Sequence, residues 1–275
     1  MKQFVFLLVL LGFSTLVSAQ DEMTYVTLKS DGGFVFGWGA NKFAYHLITD
    51  RQLEQLRQLK REGNTIKQVV FQDSDSYVIL YGKKGVTYEK VPTSLAEDLV
   101  KLNHEDKEIK CVALNQSGSY VILYNRCGAI YKNVPSSLAQ KIKELNQANK
   151  EIKHVTLNNR NSYVLLWEKN GMQWENVPDE LGDRLHSLHA EDQEVKQVVL
   201  GNRGDYVVLW NEVNAEWHRV VPDLAEYMQQ VYHDYKNAQP IINSEEFNRS
   251  VRVWALVVGV SDYAGNLNNQ GVSDL

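Results

Sequence analysis

The sequence predicts a mainly β protein with short helices, in which five copies of one unit, three strands plus one helix, form a β-propeller-like toroid. Three observations predict this. Tyr77, Tyr120, Tyr163 and Tyr206 are evenly spaced, and Ile66, Ile109, Ile152 and Val195 repeat at the same interval of 43 residues. Each copy holds two short runs of β-branched and aromatic residues, such as "IKQVVF" and "SYVILY", separated by polar turn residues. A stretch with apolar residues at i, i+4 and i+7 then follows a proline. Such a unit cannot bury both faces of its sheet alone, so the copies must pack on one another. Closing them into a ring also protects their edges. The alternative is an open α/β solenoid, since period and count do not fix curvature.

Residues 1–19 read as a signal peptide. Lys2 is followed by an almost unbroken apolar run over residues 4–13, and Val17, Ser18 and Ala19 end it with small residues. Cleavage near Ala19 is expected, giving an exported, periplasmic or extracellular protein. The apolar run is shorter than the roughly 20 residues that span a bilayer, so no membrane span is expected.

The copies occupy residues 23–65, 66–108, 109–151, 152–194 and 195–237. The first is eroded, but Phe34, Trp38 and Tyr45 stand in register with Tyr77, Tyr81 and Tyr88. The fifth has an extra residue before Pro222, and Leu224 regains register with Leu95, Leu138 and Leu181. Within a copy, Gly85, Gly128 and Gly171 are expected at positive φ in a tight hairpin. A brief third strand, as in "GVTYEKV", ends at Pro92, Pro135 or Pro178. The helix that follows is expected to be capped by Thr93 or Ser136 and to bury a stripe such as Leu95, Leu99 and Leu102.

Composition narrows the function. The formal charge is −5 and there is no Lys/Arg-rich run, which argues against nucleic acid as a partner. Two cysteines, Cys111 and Cys127, do not make a disulfide scaffold, and whether they pair is left open.

Three aromatic columns run through the repeats: Phe34, Tyr77, Tyr120, Tyr163, Tyr206; then Trp38, Tyr81, Tyr124, Trp167, Trp210; then Tyr45, Tyr88, Tyr131, Trp174, Trp217. Packing between repeats accounts for columns kept through every copy. The third column is the exception, because its short strand lies near an edge. Tyr45, Tyr88, Tyr131, Trp174 and Trp217 are therefore the candidate ligand-binding residues, with a glycan, peptide or protein as the partner. His186 and His189, with Glu191 and Asp192 nearby, have a loosely metal-like spacing. Polar residues at the equivalent helix positions favour a solvated face instead, so no metal site and no cofactor are expected. Cys127 sits in a hairpin turn without the flanking residues of a nucleophile, and no catalytic residue is assigned. Asn115 and Asn248 each begin a glycosylation sequon.

Residues 238–250 are polar and non-repeating and read as a linker. Residues 251–275 break the period, and "VWALVVGVSDY" suits a strand covered on both faces. This stretch resembles the opening of caspase-like cysteine peptidases of the metacaspase type, peptidase family C14, with Leu267 in the following loop and Asp274 at the start of a first helix. The resemblance implies the first strand of an α/β peptidase domain. In that family a Cys thiolate attacks the peptide carbonyl with a His as base. Both lie downstream of this strand, so the chain is expected to be truncated and inactive. The function then expected is the exported binding or presentation region of a caspase-family endopeptidase. The alternative is a self-sufficient secreted propeller-type module that binds glycan or protein without enzymatic activity.

Overall fold

The computed structural model describes residues 22–238. In chain order these form β1 (Met23–Leu28), β2 (Phe34–Trp38), β3 (Lys42–His46), α1 (Asp50–Arg61), β4 (Ile66–Phe71), β5 (Tyr77–Tyr81), β6 (Gly85–Glu89) and α2 (Thr93–His104). The middle repeats supply β7 (Ile109–Leu114), β8 (Tyr120–Tyr124), β9 (Gly128–Lys132), α3 (Ser136–Gln147), β10 (Ile152–Leu157), β11 (Tyr163–Trp167), β12 (Gly171–Glu175) and α4 (Asp179–Ala190). The last adds β13 (Val195–Leu200), β14 (Tyr206–Trp210), β15 (Asn214–His218) and α5 (Pro222–Ala238). Each repeat is an antiparallel meander, ordered inner, middle and outer strand, followed by its helix. A bulge interrupts the start of every inner strand, as between Ile66 and Gln68, and adds twist where the blades crowd together.

The core is divided into five wedges, each shared by two repeats. Leu95, Leu99 and Leu102 of α2 lie between Val78 and Leu80 of their own sheet and Ile109, Val112 and Ile122 of the next. The helix stripe thus fills the gap that opens between two sheets as they radiate from the axis. The same construction joins repeats one to two, three to four and four to five.

The fifth wedge decides between ring and solenoid. Val207, Leu209, Leu224, Met228 and Val231 of the last repeat share a buried cluster with Met23, Val26, Phe34 and Phe36 of the first. The Met23 amide donates to the Glu212 carbonyl (3.0 Å), and Lys196 pairs with Glu22 (3.3 Å). The repeats close as a propeller-like toroid, and the solenoid is excluded. Lys67–Glu108, Lys110–Glu151 and Lys153–Glu194 repeat the Lys196–Glu22 pair at three other junctions. Thr24 and Thr65 occupy those places between repeats one and two.

Two local expectations are corrected. Gly85, Gly128 and Gly171 do not supply the positive φ of the hairpin. That conformation falls three residues earlier, at Gly82 (φ 53°), Asn125 (50°) and Glu168 (49°). The glycines serve the ring opposite them across the strand pair. A Cβ would come within 2.3 Å of the Tyr81 ring at Gly85, 2.4 Å of Tyr124 at Gly128 and 2.1 Å of Trp167 at Gly171. Nor do Thr93 and Ser136 cap their helices. They are the first helical residues, and Pro92 and Pro135 hold the cap position with no side-chain hydrogen bond. Each proline carbonyl instead accepts the first helical bond, from Ala96 and Ala139 (both 3.0 Å). Only α1 has the expected chemistry, with Thr49 and Gln52 forming a reciprocal capping box.

Candidate functional site

The three aromatic columns lie at different depths. The first is buried in every repeat, and two of its hydroxyls have internal partners: Tyr120 donates to Asp98 (2.7 Å), and Tyr163 accepts from Gln173 (2.6 Å). The second is half-buried, and its tryptophans are covered. Lys141 lies 4.9 Å above Trp167, Arg184 lies 4.8 Å above Trp210, and Trp38 stacks on Phe36 and Tyr227. The third lies on the outer strands. Tyr45 and Tyr131 are 39 % and 38 % exposed, while Tyr88, Trp174 and Trp217 are half-buried.

Two third-column rings, Trp174 and Trp217, border open space between the outer strand and the helix of their own repeat. In the first repeat Arg57 of α1 donates to the Tyr45 hydroxyl (3.4 Å). In the fourth, His186 stands in the place of Arg57 and meets Trp174 edge-on, with ring centres 4.7 Å apart. Here the groove opens to about 610 Å³ and is lined by Trp174, Glu175, Asn176, Asp179, Asp183 and His186, among others. In the fifth, Trp217 joins Met23, Trp210, Met228 and Tyr232 around an apolar cavity of about 280 Å³. The five candidate residues lie on the outer strands of five different repeats and do not converge on one centre.

Sequence reasoning missed a column at the axis. Tyr25, Gln68, Cys111, His154 and Gln197 occupy equivalent inner-strand positions, and the last four reach across to the backbone of the next repeat. Gln68 donates from Nε2 to the Val112 carbonyl (3.1 Å) and accepts the Val112 amide on Oε1 (2.8 Å). Cys111 faces the Val155 carbonyl (3.6 Å), and His154 Nε2 lies 2.9 Å from the Val198 carbonyl. A carbonyl only accepts, so His154 carries its proton on Nε2 and presents a bare Nδ1 to the Cys111 sulfur at 3.6 Å. The available signal was a polar position recurring within an otherwise apolar strand.

A cysteine beside a histidine invites a nucleophilic reading, which the electrostatics oppose. Burial pushes the Cys111 thiol up to about 11 and holds the His154 imidazole down to about 4. Both groups stay neutral, the thiolate does not form, and neither side chain is open to a substrate. The cavity beside them, about 80 Å³, is lined by all five inner strands and has room for a few waters. Gln116 crosses its mouth, donating to Ser30 Oγ (2.9 Å) and accepting from Asn159 Nδ2 (2.6 Å).

The remaining candidates disperse. His189 donates from Nδ1 to the Asn170 carbonyl (2.9 Å), away from the His186–Trp174 contact. Cys111 and Cys127 are both free thiols. Asn115 is buried, and its Nδ2 donates to the Asn158 carbonyl (3.1 Å), so the folded chain closes that sequon. Asn248 lies outside the described residues, as do residues 1–19, expected to be a signal peptide, and residues 251–275. Among the described residues no helix is long and apolar enough to cross a membrane.

No family model matches the chain, and no curated protein matches it. Among solved structures, the chain is similar to virginiamycin B lyase from Staphylococcus aureus at 9 % identity and a TM-score of 0.31, over 73 % of this chain and 70 % of that one. It is similar to a streptogramin B lyase at 11 % identity and a TM-score of 0.31, over 76 % and 72 %. Likeness of this degree speaks to neither reaction nor ligand. The expectation of a caspase-like peptidase at residues 251–275 is corrected: no family model supports it, and the structural matches carry no caspase or peptidase signal.

Proposed function

We propose that this protein is an exported propeller-type binding module that recognises a protein or glycan partner through the aromatic residues of its outer strands and performs no chemistry on it. One observation carries the reading. Of three aromatic columns equally regular in sequence, the first is buried and the tryptophans of the second are covered, while the third holds the exposed rings Tyr45 and Tyr131 and lines an open groove at Trp174. Aromatic rings beside open space and polar groups offer large contact area at low conformational cost, the usual make-up of a recognition surface. The neutral, buried state of Cys111 and His154 supports binding over catalysis.

The test is a glycan array and a peptide-display screen with the full chain, followed by Tyr45→Ala, Tyr88→Ala, Tyr131→Ala and Trp174→Ala variants checked for retained fold by circular dichroism. Hits that weaken on one or more of these substitutions support the reading. Hits indifferent to all four, or no hits in either screen, would sink it.

A further inference from the structure

We propose that the groove of the fourth repeat, floored by Trp174, binds a cationic side chain, the ammonium or guanidinium of a basic peptide segment. The inference rests on the outer-strand aromatics being the binding face and names what one of them takes.

Room comes first. Gly182 of α4 stands where the other repeats have Leu53, Ala96, Ala139 and Ala225. A Cβ there would lie 3.4 Å from Trp174 Nε1, so its absence frees space beside the widest ring of the middle repeats. The exchange of Tyr for Trp on the strand and Ala for Gly on the helix would leave a filled interface if packing were all it served. It leaves an open groove of about 610 Å³ instead.

Charge comes second. Three carboxylates, Glu175, Asp179 and Asp183, line this groove, and no Lys or Arg does. Ser137 donates to Glu175, while Asp179 and Asp183 are exposed and have no ion pair among the described residues. Acidic residues alone would be ordinary solvated surface; here they line a groove with a half-buried indole that no cation covers. Two of the equivalent positions are supplied with a cation from within the chain. Arg57 donates to Tyr45 in the first repeat, and Lys132 and Lys143 stand at the corresponding places around Tyr131 in the third.

The molecule also shows how it treats a tryptophan. Trp167 and Trp210 are each covered by a basic side chain, at 4.9 and 4.8 Å. Among the described residues no Lys or Arg covers Trp174, which meets the His186 imidazole in a perpendicular ring contact. A cation over an indole is attracted by the ring's negative face, and neighbouring carboxylates add to it. A neutral sugar could stack on the same ring but would gain no charge attraction from the carboxylates.

The experiment follows the Trp174 indole N–H by NMR in the full chain. The probes are N-acetyl-lysine methylamide and N-acetyl-arginine methylamide, with N-acetyl-norleucine methylamide and methyl glucoside as neutral counterparts. The cationic probes should shift the Trp174 signal saturably. Asp179→Asn and Asp183→Asn, both at exposed positions, should each weaken binding by about threefold. Raising salt from about 0.05 to about 0.5 M should weaken it further. Gly182→Ala, which favours the helix, should weaken it by refilling the groove. If the norleucine or glucoside probe moves Trp174 as strongly as the cations, the cationic assignment is overturned while the binding face stands. If no probe moves it, the assignment is overturned, and the array and display screen decide the fate of the broader reading.

Discussion

Gln197 in the fifth repeat grips Val26 in the first with both ends of its carboxamide, Nε2 donating to the Val26 carbonyl (3.0 Å) and Oε1 accepting the Val26 amide (2.9 Å). This is the pairing one strand would offer another, delivered by a side chain. It recurs between Gln68 and Val112, where the chain is continuous, so the closing junction uses the same device as an internal one.

Removing that grip strands two buried backbone groups. Gln197→Met, which keeps the side-chain length and loses the amide, should lower stability by about 2–4 kcal/mol in urea unfolding. A loss below about 0.5 kcal/mol would show that water replaces the carboxamide at no cost.

His154 gives the ring a dependence on pH. Its folded pKa of about 4 lies below the ordinary histidine value, so the unfolded chain binds the extra proton first. The contribution is fully present above about pH 6.5 and is lost as pH falls toward 4, amounting to about 3 kcal/mol. His154→Gln, which installs the residue found at positions 68 and 197, should flatten the stability profile between pH 6.5 and 5. An unchanged slope would place the acid sensitivity elsewhere.

The two thiols should differ sharply in reactivity. Cys127 is half-exposed in its turn, whereas Cys111 is buried with its thiol pushed up to about 11. Ellman's reagent should label one thiol per chain natively and the second only after unfolding. Rapid labelling of both would mean that the axis opens on the timescale of the assay.

Gly171 is held by what lies across from it. Its φ is not positive, yet a Cβ would strike Trp167 at 2.1 Å. Gly171→Ala should destabilise by about 1–3 kcal/mol, and much of the loss should disappear in a Trp167→Ala background. Equal losses in both backgrounds would point to the backbone instead of the ring.

The period, the four elements per repeat and the helix stripes could be read from the chain because each is set by local spacing. Closure could not, since it depends on how Val207 and Leu224 meet Phe34 and Met23 across the full length of the repeats. The glycines misled for a related reason. A glycine in a hairpin suggests a turn, and only the register shows that Gly85 faces Tyr81. The regularity of the aromatic columns gave their existence but not their depth. Covering groups such as Lys141 and Arg184 come from the neighbouring repeat. The polar axial column escaped notice because Tyr25, Gln68, Cys111, His154 and Gln197 share a place and a task but no side-chain chemistry.

The carboxamide grip also bears on which strand edges the ring leaves open. An inner strand with free amide and carbonyl groups is a template on which foreign strands can add. Gln197 and Gln68 occupy those groups at Val26 and Val112. Between the first two repeats, Tyr25 takes the place of the glutamine and packs against Gly37, and the Lys–Glu pair gives way to Thr24 and Thr65. That seam lacks both the carboxamide grip and the Lys–Glu pair and is held by the Arg51–Glu89 pair, the Gln52–Ser74 hydrogen bond and a shared apolar cluster, so it is where strand addition from a second molecule would begin as the ring loosens.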